Sequence, residues 1–270
     1  MLNTQLKFAY LLSLIIAILT FVAAVGGLVI PDLYRDNLFV ASGWFGNDLV
    51  TLVVAFPVLV IALILSARGS QRSQLVWLGM LNYTLYNFAF YLFGAAYNRF
   101  FLIYVTLFTL SIFALIFGLV GLDVKGISQK FRAKTPVKLI STYMLFVAIA
   151  LGGFWILQSL NFIFTAQVPE IIVTVGGYTN VIAALDLSMV VSVFALGGIW
   201  LWQRQPWGYV LGVIANIKGA TYTLALTAAT ISATQAGVGN AAQVPLWTFL
   251  SLGSLISSLV LLRNCHPASE

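Results

Sequence analysis

The chain has 270 residues, 61% of them hydrophobic and only 7% charged, with 13 Lys and Arg against 7 Asp and Glu and a formal net charge of +6. With a mean hydropathy of +1.02, it cannot cover a water-soluble surface with polar side chains, and it reads as an all-α, polytopic integral membrane protein. The positive balance does not point to nucleic acid: Lys125, Lys130, Arg132, Lys134 and Lys138 share one short loop between apolar stretches, as positive-inside orientation requires.

A helix needs about 20 apolar residues to cross a hydrocarbon core of about 30 Å. Runs of that kind cover residues 8–30, 48–67, 75–96, 100–121, 139–163, 181–202, 207–231 and 244–262, which predicts eight transmembrane helices. Strands are excluded there because lipid offers no partner for their backbone groups. The first run follows Lys7 and carries small residues at Ala23, Ala24, Gly26 and Gly27. It is longer than the roughly 7–15 apolar residues of a signal peptide and lacks Ala-x-Ala spacing, so it reads as a retained helix.

A cytoplasmic N-terminus puts Lys7, Arg68, Arg72, the central-loop cations, Arg204 and Arg263 inside, and Arg35 and Arg99 outside. That asymmetry predicts a multi-pass protein of the cell membrane with both termini cytoplasmic. Tyr34, Trp44 and Phe45 then fall at the outer interface and Trp77, Trp202 and Trp207 at the inner one, as aromatic belts. Two outer segments, residues 31–47 and 164–180, are of comparable size.

Writing residues 48–61 over 186–199 matches Asp48 with Asp186, Leu49 with Leu187, Val53 with Val191, Phe56 with Phe194 and Ile61 with Ile199, followed by Arg68 and Arg204. Writing 7–20 over 138–151 matches Lys7 with Lys138, Leu14 with Leu145, Ala17 with Ala148 and Ile18 with Ile149, and each copy later carries a Gly-Gly pair. The expectation is a parallel 4+4 repeat, with units 1–134 and 135–270 in one membrane domain related by an axis along the membrane normal. An offset that pairs Tyr86 with Tyr222 sets Asn82 opposite Lys218.

Three charges interrupt the apolar runs. Lys218 lies about 17 Å into the seventh span and Asp186 about 10 Å into the antiparallel sixth, at nearly the same depth, where they could pair. Asp48 and Asp186 also read as N-caps of equivalent helices, Asp48 directly after Gly46-Asn47. Lys218 has no such structural role open to it, since a lysine snorkels only a short way.

On the third span Tyr83, Asn87, Tyr91 and Gly94 form one helical line, and Asn82, Tyr86 and Ala89 an adjacent one. The candidate substrate- or ion-binding residues are therefore Lys218, Asp186, Tyr222, Asn82, Tyr86 and Asn87. Interhelical hydrogen bonding that only holds the bundle together is the alternative for these groups. Gly208 and Gly212 form a G-x-x-x-G step that permits close helix approach. Pro57 can kink the second span, and Arg99 reads as an interfacial anchor.

No H-E-x-x-H, G-x-S-x-G, Walker A or dinucleotide motif occurs. Cys265 and His266 stand together in the tail, too few for a metal site, which needs about three or four protein ligands. No catalytic residue, metal or cofactor is expected, and the protein reads as a non-enzyme. A late lysine with an aspartate nearby suggests a retinal Schiff base, but eight crossings with a cytoplasmic N-terminus argue against it. Two functions remain: a small-solute or ion transporter with a mid-membrane Lys218–Asp186 site, or a non-transporting sensor, assembly factor or partner subunit. The partners implied are the lipid bilayer and a small solute or ion, with no nucleic acid.

Overall fold

Backbone groups shut off from water can pair only within their own segment, and this chain obeys that constraint as helix. The computed structural model describes residues 4–266. In chain order these form α1 (Thr4–Val29), α2 (Leu38–Val50), a π-helical turn (Thr51–Ala55), α3 (Phe56–Ala67), α4 (Gln71–Gly94), α5 (Phe101–Val120), the short α6 (Val124–Gln129), α7 (Val137–Thr165) and the short α8 (Glu170–Val175). The chain continues through α9 (Val181–Leu185), a second π-helical turn (Asp186–Val191), α10 (Ser192–Trp202), α11 (Pro206–Gln235), a 3-10 turn (Ala241–Gln243) and α12 (Val244–Asn264). The π turns join α2 to α3, and α9 to α10, into continuous rods.

Among the described residues seven rods are long and apolar enough to cross a membrane: Leu6–Val29, Leu38–Ala67, Phe101–Val120, Val137–Thr165, Val181–Trp202, Pro206–Gln235 and Ala241–Asn264. The protein is thus a helical, multi-pass membrane protein. The remaining long helix, α4, has 24 residues but buries Asn82, Tyr83, Thr84, Tyr86, Asn87 and Tyr91. It lacks the apolar character of a lipid-facing span because it faces protein: α3, α5, α9 and α11 surround it.

Helix α11 is the other interior element, packed against α2, α4, α10 and α12. On the outside, α1, α5, α7 and α12 display large apolar side chains such as Ile18, Leu102, Ile149, Phe164, Phe249 and Ile256, which suit lipid. Close approach in the interior depends on small residues. A side chain at Gly46 would enter the backbone of α11 at Ala228, and one at Gly208 the backbone of α10 at Trp200 and Leu201. The Gly208–Gly212 step therefore does mark a tight helix contact.

Three expectations are corrected. The second rod begins at Leu38, ten residues before the predicted Asp48, because Asn37 Oδ1 accepts the Val40 N–H at 3.0 Å and caps it there. Trp44 is not in a belt: it is buried against Phe90 and Tyr91 and donates its indole N–H to Asp36 at 3.2 Å. Trp77 is likewise fully buried and donates to Ser13 Oγ at 3.0 Å. In both cases a polar partner inside the bundle takes the N–H that an interfacial tryptophan would give to water or headgroups. Trp202, Trp207 and Phe45 remain exposed.

One end of the bundle carries most of the cations. There the central loop is stitched to the end of α12: Phe131 bridges to Cys265, Arg132 N–H donates to Asn264 at 2.9 Å, and His266 N–H to Lys130 at 2.8 Å. Arg72 Nε donates to the Cys265 carbonyl at 2.7 Å. Burial pushes the Cys265 thiol above its ordinary range, against the opposing pull of Arg72 and Lys130. The opposite end, formed by loops 30–37, 95–100 and 166–180, carries Arg35 and Arg99 with Asp32, Asp36 and Glu170. Both arginines line one shallow pocket of about 250 Å³ with Tyr97, Asn98, Phe101 and Leu102.

Candidate functional site

Helix α4 owes its polarity to two lines of side chains that helical periodicity sets on adjacent faces. Each line meets a different buried carboxylate. The first faces α2: Tyr83 Oη lies 3.0 Å from Thr51 Oγ1, Asn47 Nδ2 donates to Asn87 Oδ1 at 2.9 Å and to Tyr91 Oη at 2.8 Å, and Tyr91 donates to Asp48 Oδ1 at 2.7 Å. The other Asp48 oxygen accepts from Tyr34, which reaches in from the loop between α1 and α2. Gly27 leaves room for both, since a side chain there would strike Asp48 Oδ2 and the Tyr34 hydroxyl.

The second line faces the rod of α9 and α10. Tyr86 donates to Asp186 Oδ1 at 2.6 Å, and Trp155 of α7 donates its indole N–H to Asp186 Oδ2 at 3.0 Å. Tyr86 Oη also lies 3.0 Å from Tyr222 Oη of α11. Lys218, one turn before Tyr222, sets its Nζ 3.6 Å from the Tyr86 ring centre and 4.3 Å from that of Tyr222. Its Nζ is buried and has no hydrogen-bond partner among the described residues.

The depth of that amine follows from helix geometry. Lys218 stands about 18 Å from the start of a helix about 45 Å long. A charge at mid-membrane costs roughly 2.5–3.5 kcal/mol on insertion scales, and a desolvated ammonium on an aromatic face recovers about 2 kcal/mol. Two ring faces therefore offset much of the cost of the charge but accept none of its N–H bonds in the ordinary sense.

Two sequence readings change here. Neither aspartate is the N-cap that starts its rod: the caps are Asn37 and Asn180, whose side chains accept from Val40 and Ala183. Asp48 lies inside α2, and Asp186 opens the second π turn, both almost wholly buried. Nor do Lys218 and Asp186 pair directly. Among the described residues no ammonium–carboxylate contact within 4.0 Å forms, and Tyr86 connects them instead, its hydroxyl on the carboxylate and its ring under the amine.

Lys218, Asp186, Tyr86 and Tyr222 thus come together, Asn87 joins Asp48, and Asn82 is buried on α4 without a side-chain hydrogen bond to either centre among the described residues. Trp155, Tyr34 and Asn47 were not legible as partners. Tyr34 and Trp155 carry polar tips on apolar bodies, which in sequence look the same as interfacial or packing aromatics.

The π turns adjoin both carboxylates, following Asp48 by three residues and beginning at Asp186. Such turns shift backbone register and are frequent at functional sites. Pro57 cannot be their common cause, since the rod that contains the second turn, Val181–Trp202, has no proline. Comparison of the chain with family models, with curated proteins and with solved structures finds no match.

Proposed function

We propose that this chain is a small-solute or ion transporter of the cell membrane, with the Lys218–Asp186 cluster as its mid-membrane site held in an occluded state. The observation that carries this reading is Lys218 Nζ, enclosed at mid-membrane with no hydrogen-bond partner among the described residues. A lysine retained only for packing would be expected to end on a carboxylate or on backbone carbonyls, because polar groups inside a membrane protein pair with one another. Here the nearest anionic group, Asp186, is already supplied by Tyr86 and Trp155. A ligand bearing an oxygen acceptor would complete the amine, and loss of a proton would relieve it. Either event gives the site two states.

The frame favours the same reading. In this proposal α4 is a span in its own right, giving eight crossings, both termini cytoplasmic and the cation-rich end inside. Units 1–134 and 135–270 are repeats in which α1 corresponds to α7, the rod of α2 and α3 to that of α9 and α10, α4 to α11, and α5 to α12. Supporting features recur in pairs: asparagine caps at Asn37 and Asn180, a π turn beside each buried aspartate, and a reciprocal contact in which α4 touches α9 while α11 touches α2. Parallel repeats of this kind place a site at their interface near the bilayer midplane.

A second reading, in which the polar groups only specify helix packing, is favoured by one observation: the seam at Lys218 is closed, with 1% of that residue exposed. Proteoliposomes separate the two. Transport predicts that Lys218→Met abolishes proton-coupled or counterflow uptake of small carboxylates while the protein stays folded. Unchanged flux in folded Lys218→Met vesicles leaves only the packing role.

A further inference from the structure

The Asp48 carboxylate is 3% exposed, and among the described residues no Lys or Arg nitrogen comes within 4.0 Å. A carboxylate without an opposite charge in a low-dielectric interior is relieved by neutralisation. Around it, the buried polar groups without a partner among the described residues are Asn87 Nδ2, a donor whose orientation is fixed because Asn87 Oδ1 accepts from Asn47, and the single hydroxyl of Tyr104. Both Asp48 oxygens are already occupied by phenols. A metal cation would need several oxygen acceptors turned toward one point, and the groups present turn hydrogens toward it. The one positive charge that fits is a proton.

The route for that proton is also visible. Of the groups touching the carboxylate, Tyr91 is buried at 2% exposure, whereas Tyr34 is half-buried and belongs to the 30–37 loop at the less basic end of the bundle. The remaining titratable groups that face Asp48 are Tyr83 and Tyr91 of α4 and Tyr104 of α5, which packs on Tyr91 with ring centres 5.1 Å apart. Asp36, in the same loop as Tyr34, is held by Trp44 and by the Ala96 N–H. On the facing helices, Gly27 of α1 lies against the Asp48 carboxylate and the Ala228–Ala229 backbone of α11 lies against Gly46. Burial, and then the nearby Asp48 carboxylate, keep the Tyr34 phenol above its ordinary range, so it is a donor throughout the physiological interval.

We propose that Asp48 is a proton-carrying carboxyl that exchanges with the compartment at the 30–37 loop when Tyr34 swings aside. In the step, the Tyr34 hydrogen bond to Oδ2 breaks and a hydronium from that compartment gives its proton to Oδ2. An O–H bond forms, one water is released, and no electron changes hands. The site is separate from the Lys218–Asp186 cluster, and protonation is read on the protein whether or not it carries a solute.

The test is infrared difference spectroscopy of the full chain in liposomes, stepped in pH and in H₂O against D₂O. The wild type should show the carbonyl stretch of a protonated carboxyl that disappears in Asp48→Asn and persists in Asp186→Asn. Tyr34→Phe should shift that band and speed its deuteration by about two- to tenfold, the factor set by one hydrogen bond between neutral groups. Persistence of the band in Asp48→Asn overturns the proposal, as does its absence from the wild type. A band that answers to sodium at fixed pH overturns it in favour of a cation site. Should Asp48→Asn not fold, Tyr34→Phe, which keeps the carboxyl, decides alone: an unshifted band with unchanged deuteration is a negative result.

Discussion

The two buried carboxylates invite comparison because one helix serves both. Tyr91 and Tyr86, five residues apart on α4 and so about 7 Å apart along its axis, each give a hydroxyl to a different aspartate. Asp48 is bound by phenols alone, one of them on a surface loop. Asp186 is bound by a phenol and an indole, both deep in the bundle, and has an ammonium within one aromatic ring of it. In the proposed reading the first centre is neutralised by what enters from outside, whereas the second changes state by moving a proton or admitting a ligand beside Lys218. The local chemistry is similar, and the difference lies in what the surrounding helices contribute.

The sharpest way to break this contrast is to remove the ammonium. Lys218→Met should abolish uptake, while chemical denaturation finds stability unchanged or raised, since among the described residues the amine makes no hydrogen bond to lose and a desolvated charge is itself a cost to the fold. A matched loss of flux and of folding would assign Lys218 to packing.

Next in size is the glycine that makes space for Asp48. Gly27→Val should destabilise the fold by about 1–3 kcal/mol through overpacking against the carboxylate and Tyr34, whereas Gly153→Val, where the added atom meets nothing within 4 Å, should leave stability unchanged. Equal unfolding midpoints for the two variants would contradict the described fit of α1 to α2.

A smaller effect distinguishes the donors themselves. Double-mutant cycles should give a coupling of about 0.6–2 kcal/mol for Tyr86 with Asp186 and a similar value for Tyr91 with Asp48, with negligible coupling between Tyr86 and Asp48. Cross-coupling as large as the direct terms would mean one network and not two.

The least effect belongs far from both centres. Because burial raises the Cys265 thiol, it stays neutral to higher pH than a free thiol, and maleimide labelling of the native protein at pH 8 should be slow. Arg72→Ala, which frees the Cys265 carbonyl and loosens the tail, should speed labelling several-fold without altering either carboxylate centre. Labelling as fast as that of the unfolded chain would contradict the stitched end.

Much of this architecture was legible in order of residues. Hydropathy located the rods, and the short loops between apolar runs gave their sequence. The 3.6-residue period alone draws two polar lines on α4, and Lys218 stands out because nothing apolar excuses a lysine at that depth. The start of the second rod was not legible, since Leu38 to Asn47 mixes small and polar residues whose helicity depends on α11 lying close against Gly46. Trp44 and Trp77 looked interfacial for the same reason: a tryptophan's burial is set by its neighbours and not by its own chemistry.

The sequence by itself determined that this is a helical membrane protein with polar groups committed to its interior, because solvent and lipid act on each residue independently of the rest of the fold. Tertiary structure alone decided which carboxylate each line of α4 meets, that asparagines and not aspartates cap the two rods, and that Tyr86 stands where an ion pair was expected. Periodicity fixes the direction in which a side chain leaves its helix. What it meets there depends on which helices the loops and close-packed glycines bring alongside.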